Sequence, residues 1–202
     1  RLDKFILHME NHYFRATDVK LTKYITIPAE FVGEQFKRFH RYPIRQRFET
    51  MTDYILEMMK IQYNLTVTTA EKNLLRKEIK NMFSGNNDLQ IYKDFFEWAG
   101  KPEMFKMRML EYADMAPLAY LHLALDGNKT QTHIRHLLID EMQDYSPIQY
   151  KVIQKLYPCR KTILGDASQS VNPYGSSTAA MIQKAFTTGE VMKLCKSYRS
   201  TF

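Results

Sequence analysis

The fold is best predicted from one stretch of the chain, His136-Leu137-Leu138-Ile139-Asp140-Glu141-Met142-Gln143-Asp144. Its apolar run, from Leu137 to Ile139, is typical of a short strand that is buried on both faces. Asp140 and Glu141 follow at the strand's carboxyl end, which is where ligands bind in open α/β sheets. Magnesium on a nucleotide would neutralise these acids, with Asp140 near the metal and Glu141 placed to polarise a water. The alternative is an ordinary strand that ends in two solvated acids, and Gln143 and Asp144, which extend the pattern, weigh against it.

The segment that follows alternates between strand-like and helix-like patterns. Strands are predicted at 137–139, 162–164 and 191–194, and helices at 147–156 and 177–186. Ser146 and Pro147 supply a cap and a first-turn proline for the first of these helices. Such alternation predicts an α/β fold, with a parallel sheet and helical crossovers.

Two further stretches follow strands of this predicted sheet. Gly165-Asp166-Ala167-Ser168-Gln169 comes after the second strand, so Asp166 and Gln169 would emerge beside Asp140 if the two strands are neighbours. Turn chemistry is the alternative for this stretch taken alone. Tyr198-Arg199-Ser200-Thr201 comes after the third strand, where an arginine can reach a phosphate and a tyrosine can stack on a purine. A surface loop is its alternative.

Residues 1–130 have a different, mainly helical character. A short extended piece is predicted at Tyr24–Ile27, and a helix should begin after Pro43. The other predicted helices span residues 29–40, 69–83, 88–99, 102–113 and 114–127. We therefore predict a helical subdomain over residues 1–130 and an α/β segment over residues 131–202.

One segment of the helical half interleaves cations with aromatic rings. It runs from Phe36 to Phe48 and contains four arginines, Arg38, Arg41, Arg45 and Arg47. Single-stranded nucleic acid is bound by this mixture, because cations neutralise its backbone and rings stack on its bases. The alternative is an amphipathic helix with phenylalanines in the core and solvated arginines.

The composition excludes some classes of protein. The 202 residues are 45% hydrophobic and 25% charged, as in globular domains, and a net charge of +7 mildly favours polyanionic partners. No apolar run approaches the ~20 residues of a membrane span. Cys159 and Cys195 have neither metal-ligand spacing nor a disulfide framework, which indicates a reducing, cytoplasmic location.

The three polar stretches, in this order, resemble the motor core of superfamily-one helicases of the UvrD/Rep/PcrA kind. Ile139–Asp144 resembles the Walker B motif, Leu164–Ser170 the third motif and Ser197–Thr201 the fourth. The resemblance is nearest to the helicase IV/HelD-like branch, whose members remodel RNA polymerase, in the stretch Gln169–Tyr174 and in the helix-like Glu111–Leu121 that precedes Walker B.

This resemblance implies a fold and a cofactor. The helical half would be a 1B-like insertion, and residues 131–202 would be part of a RecA-like motor that uses ATP and magnesium. Asp140 would help to hold magnesium and Glu141 would activate the attacking water.

Further site residues follow from the same resemblance. Gln169 would sense the γ-phosphate, Tyr198 would stack on adenine, Arg199 would contact the γ-phosphate, and Tyr174 would stack on single-stranded DNA. The third motif departs from the family here, because residues 172–175 lack the usual arginine.

The sequence contains no Gly-x-x-x-x-Gly-Lys-Ser/Thr loop to cradle a triphosphate, and Gly127-Asn128-Lys129-Thr130 is its nearest imitation. In the family this loop precedes the present region, so we expect it upstream of Arg1, and we expect the chain alone not to hydrolyse ATP. Three functions stay open: a translocase or helicase on single-stranded or duplex DNA, an ATPase that acts on RNA polymerase, and a nucleic-acid-binding module with vestigial ATPase residues.

Overall fold

A computed structural model describes residues 1–64, 66–85, 87–106, 109–127, 133–166, 169, 179–184, 186 and 188–193. The chain forms two compact units, Arg1–Asn128 and Lys129–Phe202. Among the described residues, no helix is both long and apolar enough to cross a membrane. The predicted sites Tyr174, Tyr198 and Arg199 lie outside the described residues.

The first unit is helical, as the sequence predicted. Its helices are α1 (Leu2–His12), α2 (Ala29–Arg38), α3 (Ile44–Tyr63), α4 (Thr69–Asn81), α5 (Asp88–Trp98) and α6 (Tyr112–Leu125). An antiparallel pair of two-residue strands, β1 (Val19–Lys20) and β2 (Thr26–Ile27), lies between α1 and α2. The buried core includes Phe5, Met9, Val32, Ile44, Met51, Ile55, Ile79 and Leu121.

The helix starts of this unit are set by local chemistry. Pro43 precedes α3 in an extended conformation, and its missing N–H is not needed before a first turn. Thr68 caps α4, because its side chain accepts the Glu71 N–H while the Glu71 carboxylate accepts the Thr68 N–H. The cap therefore lies one residue before the predicted helix start, Thr69.

The predicted helix at 102–113 is wrong in its described residues. Pro102–Met104 is a single 3-10 turn, and Phe105 and Glu111 have extended backbones. Glu111 is extended because it caps α6, in a reciprocal arrangement with Asp114. The last two residues of the predicted helix thus belong to α6, and Asp114 lies inside the first turn of α6 instead of capping it.

The second unit contains a small parallel sheet. Strands β3 (His136–Ile139) and β4 (Arg160–Ile163) pair in parallel, with Ile139 opposite Ile163. Helix α7 (Pro147–Leu156) connects them and begins at the predicted Ser146 cap. A parallel pair needs such a crossover, so the predicted α/β character is confirmed for these elements.

One face of this sheet carries the core of the second unit. Ile139, Tyr150 and Ile182, the last from α8 (Ala179–Gln183), are buried together there. Leu138, by contrast, has 64% of its surface exposed. The expectation of a strand buried on both faces is therefore wrong for the described structure, because successive side chains alternate between faces and packing covers only one of them.

The last predicted helix and the last predicted strand of the second unit also differ from the structure. Helix α8 is shorter than the predicted 177–186, although residues 177, 178 and 185 are outside the described set. Residues 191–193 of the predicted third strand are described, and they form no strand. Met192 is 89% exposed and Val191 45%. An apolar sequence alone does not make a strand without a partner to complete its hydrogen bonds.

Candidate functional site

The two polar stretches of the second unit meet at one edge of its sheet. Asp140 and Glu141 follow β3, and Gly165 and Asp166 follow β4. The hydrogen bonding of the sheet continues past both strands. The Leu164 N–H donates to the Ile139 carbonyl at 2.8 Å, and the Met142 N–H donates to the Leu164 carbonyl at 2.9 Å. The alternation predicted this meeting at the carboxyl edge, where an α/β sheet binds ligands.

Glu141 has an unusual backbone conformation at this edge. Its φ and ψ are both 52°, in the left-handed region, which costs a non-glycine residue about 1–2 kcal/mol. The Glu141 N–H donates to Asp140 Oδ1 at 2.9 Å, and a 3-10 turn at Met142–Asp144 follows. Backbone strain is common at functional sites, where the surroundings hold it in place. Both carboxylates are exposed to solvent.

Gln143, two residues after Glu141, is buried, with 3% of its surface exposed. Its Nε2 donates to Glu141 Oε2 at 2.7 Å, and its Oε1 accepts the Asp166 N–H at 3.1 Å. This one amide therefore connects the stretch after β3 with the stretch after β4. The sequence indicated Gln143 only as an extension of the acidic pattern, and its two bonds depend on the packing of the two strands.

Tyr150, on α7, holds the 3-10 turn at Met142–Asp144 in place from the core side. It is fully buried, and its hydroxyl donates to the Met142 carbonyl at 2.7 Å. Burial, together with the nearby Tyr145, raises the pKa of Tyr150 well above its usual value, so the hydroxyl stays a donor at all physiological pH. Sequence reasoning missed this residue because nothing in a helix-face tyrosine identifies the carbonyl it will reach.

The loop after β4 carries the remaining described candidate, Gln169. Its side-chain nitrogen donates to Asp166 Oδ2 at 3.0 Å, and its N–H donates to the Asp166 carbonyl at 3.1 Å. Gln169 is exposed. Asp166 thus lies between Gln143 and Gln169 in a chain of hydrogen bonds that begins at Glu141. The predicted roles of Tyr198 and Arg199 concern residues outside the described set.

The four arginines predicted to contact nucleic acid lie in different surroundings. Arg47 is 3% exposed; it pairs with Glu10 and donates to the Tyr42 carbonyl at 2.7 Å and the His40 carbonyl at 2.9 Å. Arg45 pairs with Asp88 and Asp126. Arg38 and Arg41 are exposed. The structure does not bring all four into one solvent-facing groove, because two of them bind acids of their own unit.

Aromatic rings accompany the two exposed arginines. The Arg38 guanidinium lies 4.5 Å from the centroid of the Tyr54 ring and donates to the Tyr54 hydroxyl. Tyr42 is 48% exposed beside Arg41 in the chain. Phe36 and Phe48, in contrast, are buried and stack with Phe14. The predicted mixture of cations and rings is thus divided between the core and the surface.

A further polar cluster surrounds Arg45. Ligand atoms of Asp88, His122 and Asp126 lie within 4.8 Å of one another, a spacing that could hold a metal ion. The Arg45 guanidinium, however, lies 2.7 Å from Asp88 Oδ1 and also pairs with Asp126. The cation that neutralises these acids is therefore the protein's own arginine, and the cluster ties α3, α5 and α6 together.

The pKa of Asp88 reflects this arrangement. Burial alone would raise it, but the hydrogen bonds from His122 and Arg45 and the charge of Arg45 outweigh burial and hold the pKa of Asp88 below its usual value. Asp88 is therefore ionised in the folded unit under ordinary conditions.

Comparison with known proteins agrees with the resemblance to helicases of the UvrD/Rep kind. Residues 7–187 match the family model of the UvrD/REP helicase N-terminal domain. DNA helicase II of Haemophilus influenzae is 32% identical over an alignment of 120 residues, with a coverage of 55% of this chain and 15% of that protein. ATP-dependent DNA helicase Rep of Salmonella typhimurium is 30% identical over an alignment of 101 residues, with a coverage of 46% of this chain and 15% of that protein.

The chain thus corresponds to about 15% of the length of these two curated relatives. The family match, in contrast, spans both units of the chain and includes Asp140, Glu141 and Gln169. The chain therefore belongs to the UvrD/REP helicase N-terminal domain family.

Proposed function

We propose that this chain is part of an ATP-dependent DNA helicase or translocase. Its second unit would belong to a RecA-like motor domain, and its first unit would be the 1B-like insertion of that motor. The observation that carries the proposal is the position of Asp140 and Glu141 at the carboxyl edge of β3, where Gln143 connects the Glu141 carboxylate to the loop after β4. The relatives named DNA helicases support the same interpretation.

The residues at this edge have the chemistry that a magnesium nucleotide requires. Magnesium prefers oxygen ligands and is usually held by one or two carboxylates together with phosphate oxygens. The exposed Asp140 carboxylate would supply one such ligand. When bound, the ion would neutralise charge on the phosphates.

Glu141 would act as the base that orients and polarises the attacking water. Its carboxylate is exposed, and one of its oxygens accepts from Gln143 Nε2. Gln169, on the neighbouring loop, would contact the γ-phosphate. Arg199 would neutralise charge that develops during transfer, and Tyr198 would stack on adenine. These last two roles follow from the family resemblance of their motif.

DNA would contact the first unit through its exposed cations and the second through Tyr174. Arg38 and Arg41 are the two arginines of the predicted segment that face solvent. Tyr54 holds the Arg38 guanidinium over its ring. A cation fixed in this way pairs with a phosphate at a smaller entropic cost than a freely rotating one. Arg45 and Arg47 would contribute to folding, since both pair with acids of the same unit.

The decisive experiment measures ATP turnover by the full-length protein with and without single-stranded DNA. Glu141→Gln should lower turnover by about 100- to 10,000-fold, the usual contribution of a general base, and Glu190→Gln, which changes an exposed acid of the same unit, should not. Stimulation by DNA would support the helicase function. Turnover that is unaffected by DNA would contradict it and direct attention to a protein target, with RNA polymerase the first to test.

A further inference from the structure

Gln143 has two hydrogen-bond partners, and they have opposite donor and acceptor roles. A carboxylate at Glu141 can only accept a hydrogen bond, and a backbone N–H at Asp166 can only donate one. The side chain between them must therefore present one donor and one acceptor from a single terminus. Its distances to the two partners are 2.7 and 3.1 Å.

A primary amide of this length fulfils that requirement. Glutamate in its place would turn an acceptor toward the Glu141 carboxylate, methionine would fill the volume without either bond, and asparagine would be shorter by one methylene. The chemistry of the partners thus also fixes the orientation of the amide, with Oε1 on Asp166 and Nε2 on Glu141.

The surroundings hold Gln143 in this position. A β-carbon added to Gly165 would lie 2.6 Å from Gln143 Oε1, so the backbone after β4 approaches the amide as closely as a glycine permits. On the other side, Tyr150 fixes the carbonyl of Met142, the residue before Gln143. Besides Tyr150, Gln143 is the one buried side chain with polar atoms in the part of the second unit that the structure describes.

We propose that Gln143 is a positioning residue that sets the orientation of the Glu141 carboxylate according to the position of the loop carrying Gln169. By holding Glu141 Oε2, it would leave the other oxygen to polarise the water. By holding the Asp166 N–H, it would tie that orientation to the loop whose Gln169 would contact the γ-phosphate. This inference rests on the proposed function, because it assumes that Glu141 acts on water.

The inference is tested by steady-state ATP hydrolysis in the full-length protein with Gln143→Met and Gln143→Glu. Each variant should lower kcat by about 10- to 100-fold, the usual effect of removing an outer hydrogen bond that orients a reactive group. The KM for ATP should change by less than about twofold, since the loss would affect the transition state and leave nucleotide binding intact. Gln154→Met, which changes an exposed glutamine of α7, should leave both constants unchanged.

A second measurement separates positioning from a structural role. In a Glu141→Gln background, single-turnover hydrolysis should fall no further when Gln143→Met is added, because Gln143 acts through Glu141. A role in folding alone would instead reduce turnover in both backgrounds and lower the denaturant midpoint together with kcat. Should Gln143→Met fail to fold, Gln143→Asn, which keeps the amide and only shortens its reach, serves in its place.

Failure of the inference about Gln143 can be distinguished from failure of the proposed function. Unchanged kcat in Gln143→Glu, or equal losses in the two Glu141 backgrounds, would overturn the inference while leaving the function intact. Normal turnover in Glu141→Gln itself would overturn the proposed function.

Discussion

A β-carbon on Gly165 would lie 2.5 Å from the backbone nitrogen of Met142, closer than real β-carbons approach any atom. The Met142 N–H donates to the carbonyl of the residue before this glycine, Leu164. The two chain segments at the candidate site are therefore in backbone contact, and Gly165 is required by this approach.

Replacing Gly165 with alanine should displace the turn at Met142. We expect Gly165→Ala to lower the free energy of unfolding by about 1–3 kcal/mol, the usual cost of overpacking, and to lower ATP turnover of the full-length protein. Urea denaturation and steady-state hydrolysis would measure the two effects.

Gly33→Ala is the matched control for this change. Gly33 lies inside α2, where an added β-carbon would meet Ala16 Cβ at an ordinary 3.6 Å. Alanine there should raise the free energy of unfolding by about 0.5–1 kcal/mol through its helix propensity. If both alanine variants changed the free energy of unfolding in the same direction, the close approach at Gly165 would not explain the effect of Gly165→Ala.

Arg47 should contribute mainly to stability. Its buried guanidinium pairs with Glu10, binds two backbone carbonyls and lies over the Phe36 ring. Arg47→Met would keep much of the packing but leave these acceptors without their donor, at a cost of about 2–3 kcal/mol in unfolding free energy. Chemical denaturation would show the loss, while Arg41→Met, at an exposed position, should stay within about 0.5 kcal/mol of the parent.

The sequence predicted those elements whose signals are local. Helix α7 has the predicted bounds because Ser146 and Pro147 define its first turn and a regular apolar face follows. The meeting of the stretch after β3 with the stretch after β4 could also be predicted, since parallel neighbouring strands end at the same edge.

Features that depend on long-range packing could not be predicted in this way. The segment from Phe36 to Phe48 has one composition, yet Arg47 is buried because Glu10, from α1, lies opposite it. The bridge made by Gln143 depends on the register of β3 and β4, which spacing in the chain does not specify. The helix expected at 102–113 is wrong for a different, local reason, because Glu111 has an extended backbone and caps α6 together with Asp114.

Acid should destabilise the first unit in part through Asp88. Because its pKa is lower in the folded state than its ordinary value of 3.8, Asp88 contributes stability above that value, and the contribution is lost as pH falls through the lower, folded-state pKa. In Asp88→Asn this part of the pH dependence should disappear. Urea midpoints at pH 7 and at pH 3 would therefore differ less in the variant than in the parent protein.

Asp53→Asn provides the comparison for that experiment. Asp53 forms a surface pair with Lys72, with 57% of its side chain exposed, so removing its charge should change the pH dependence little. An equal reduction in both variants would show that general charge, and not the cluster around Arg45, accounts for the acid sensitivity.

Arg38 and Arg41 should contribute to DNA affinity with little effect on stability. Both are exposed, so a double change to glutamine would remove two cations that can pair with phosphates, without opening the core. We expect weaker binding of single-stranded DNA and a salt dependence whose logarithmic slope is smaller by roughly 0.7 for each phosphate that is no longer neutralised. Fluorescence anisotropy over a series of salt concentrations, with the full-length protein, would give both quantities.

The control removes the same charge from another surface. Lys77 and Lys80 are exposed on α4, and their double change to glutamine lowers the net charge equally. If that variant showed the same decrease in affinity and slope as the arginine variant, the positive charge of the whole unit would suffice to explain binding. A decrease confined to the arginine variant would instead place the phosphate-binding cations at the end of α2, where Tyr54 holds Arg38 over its ring.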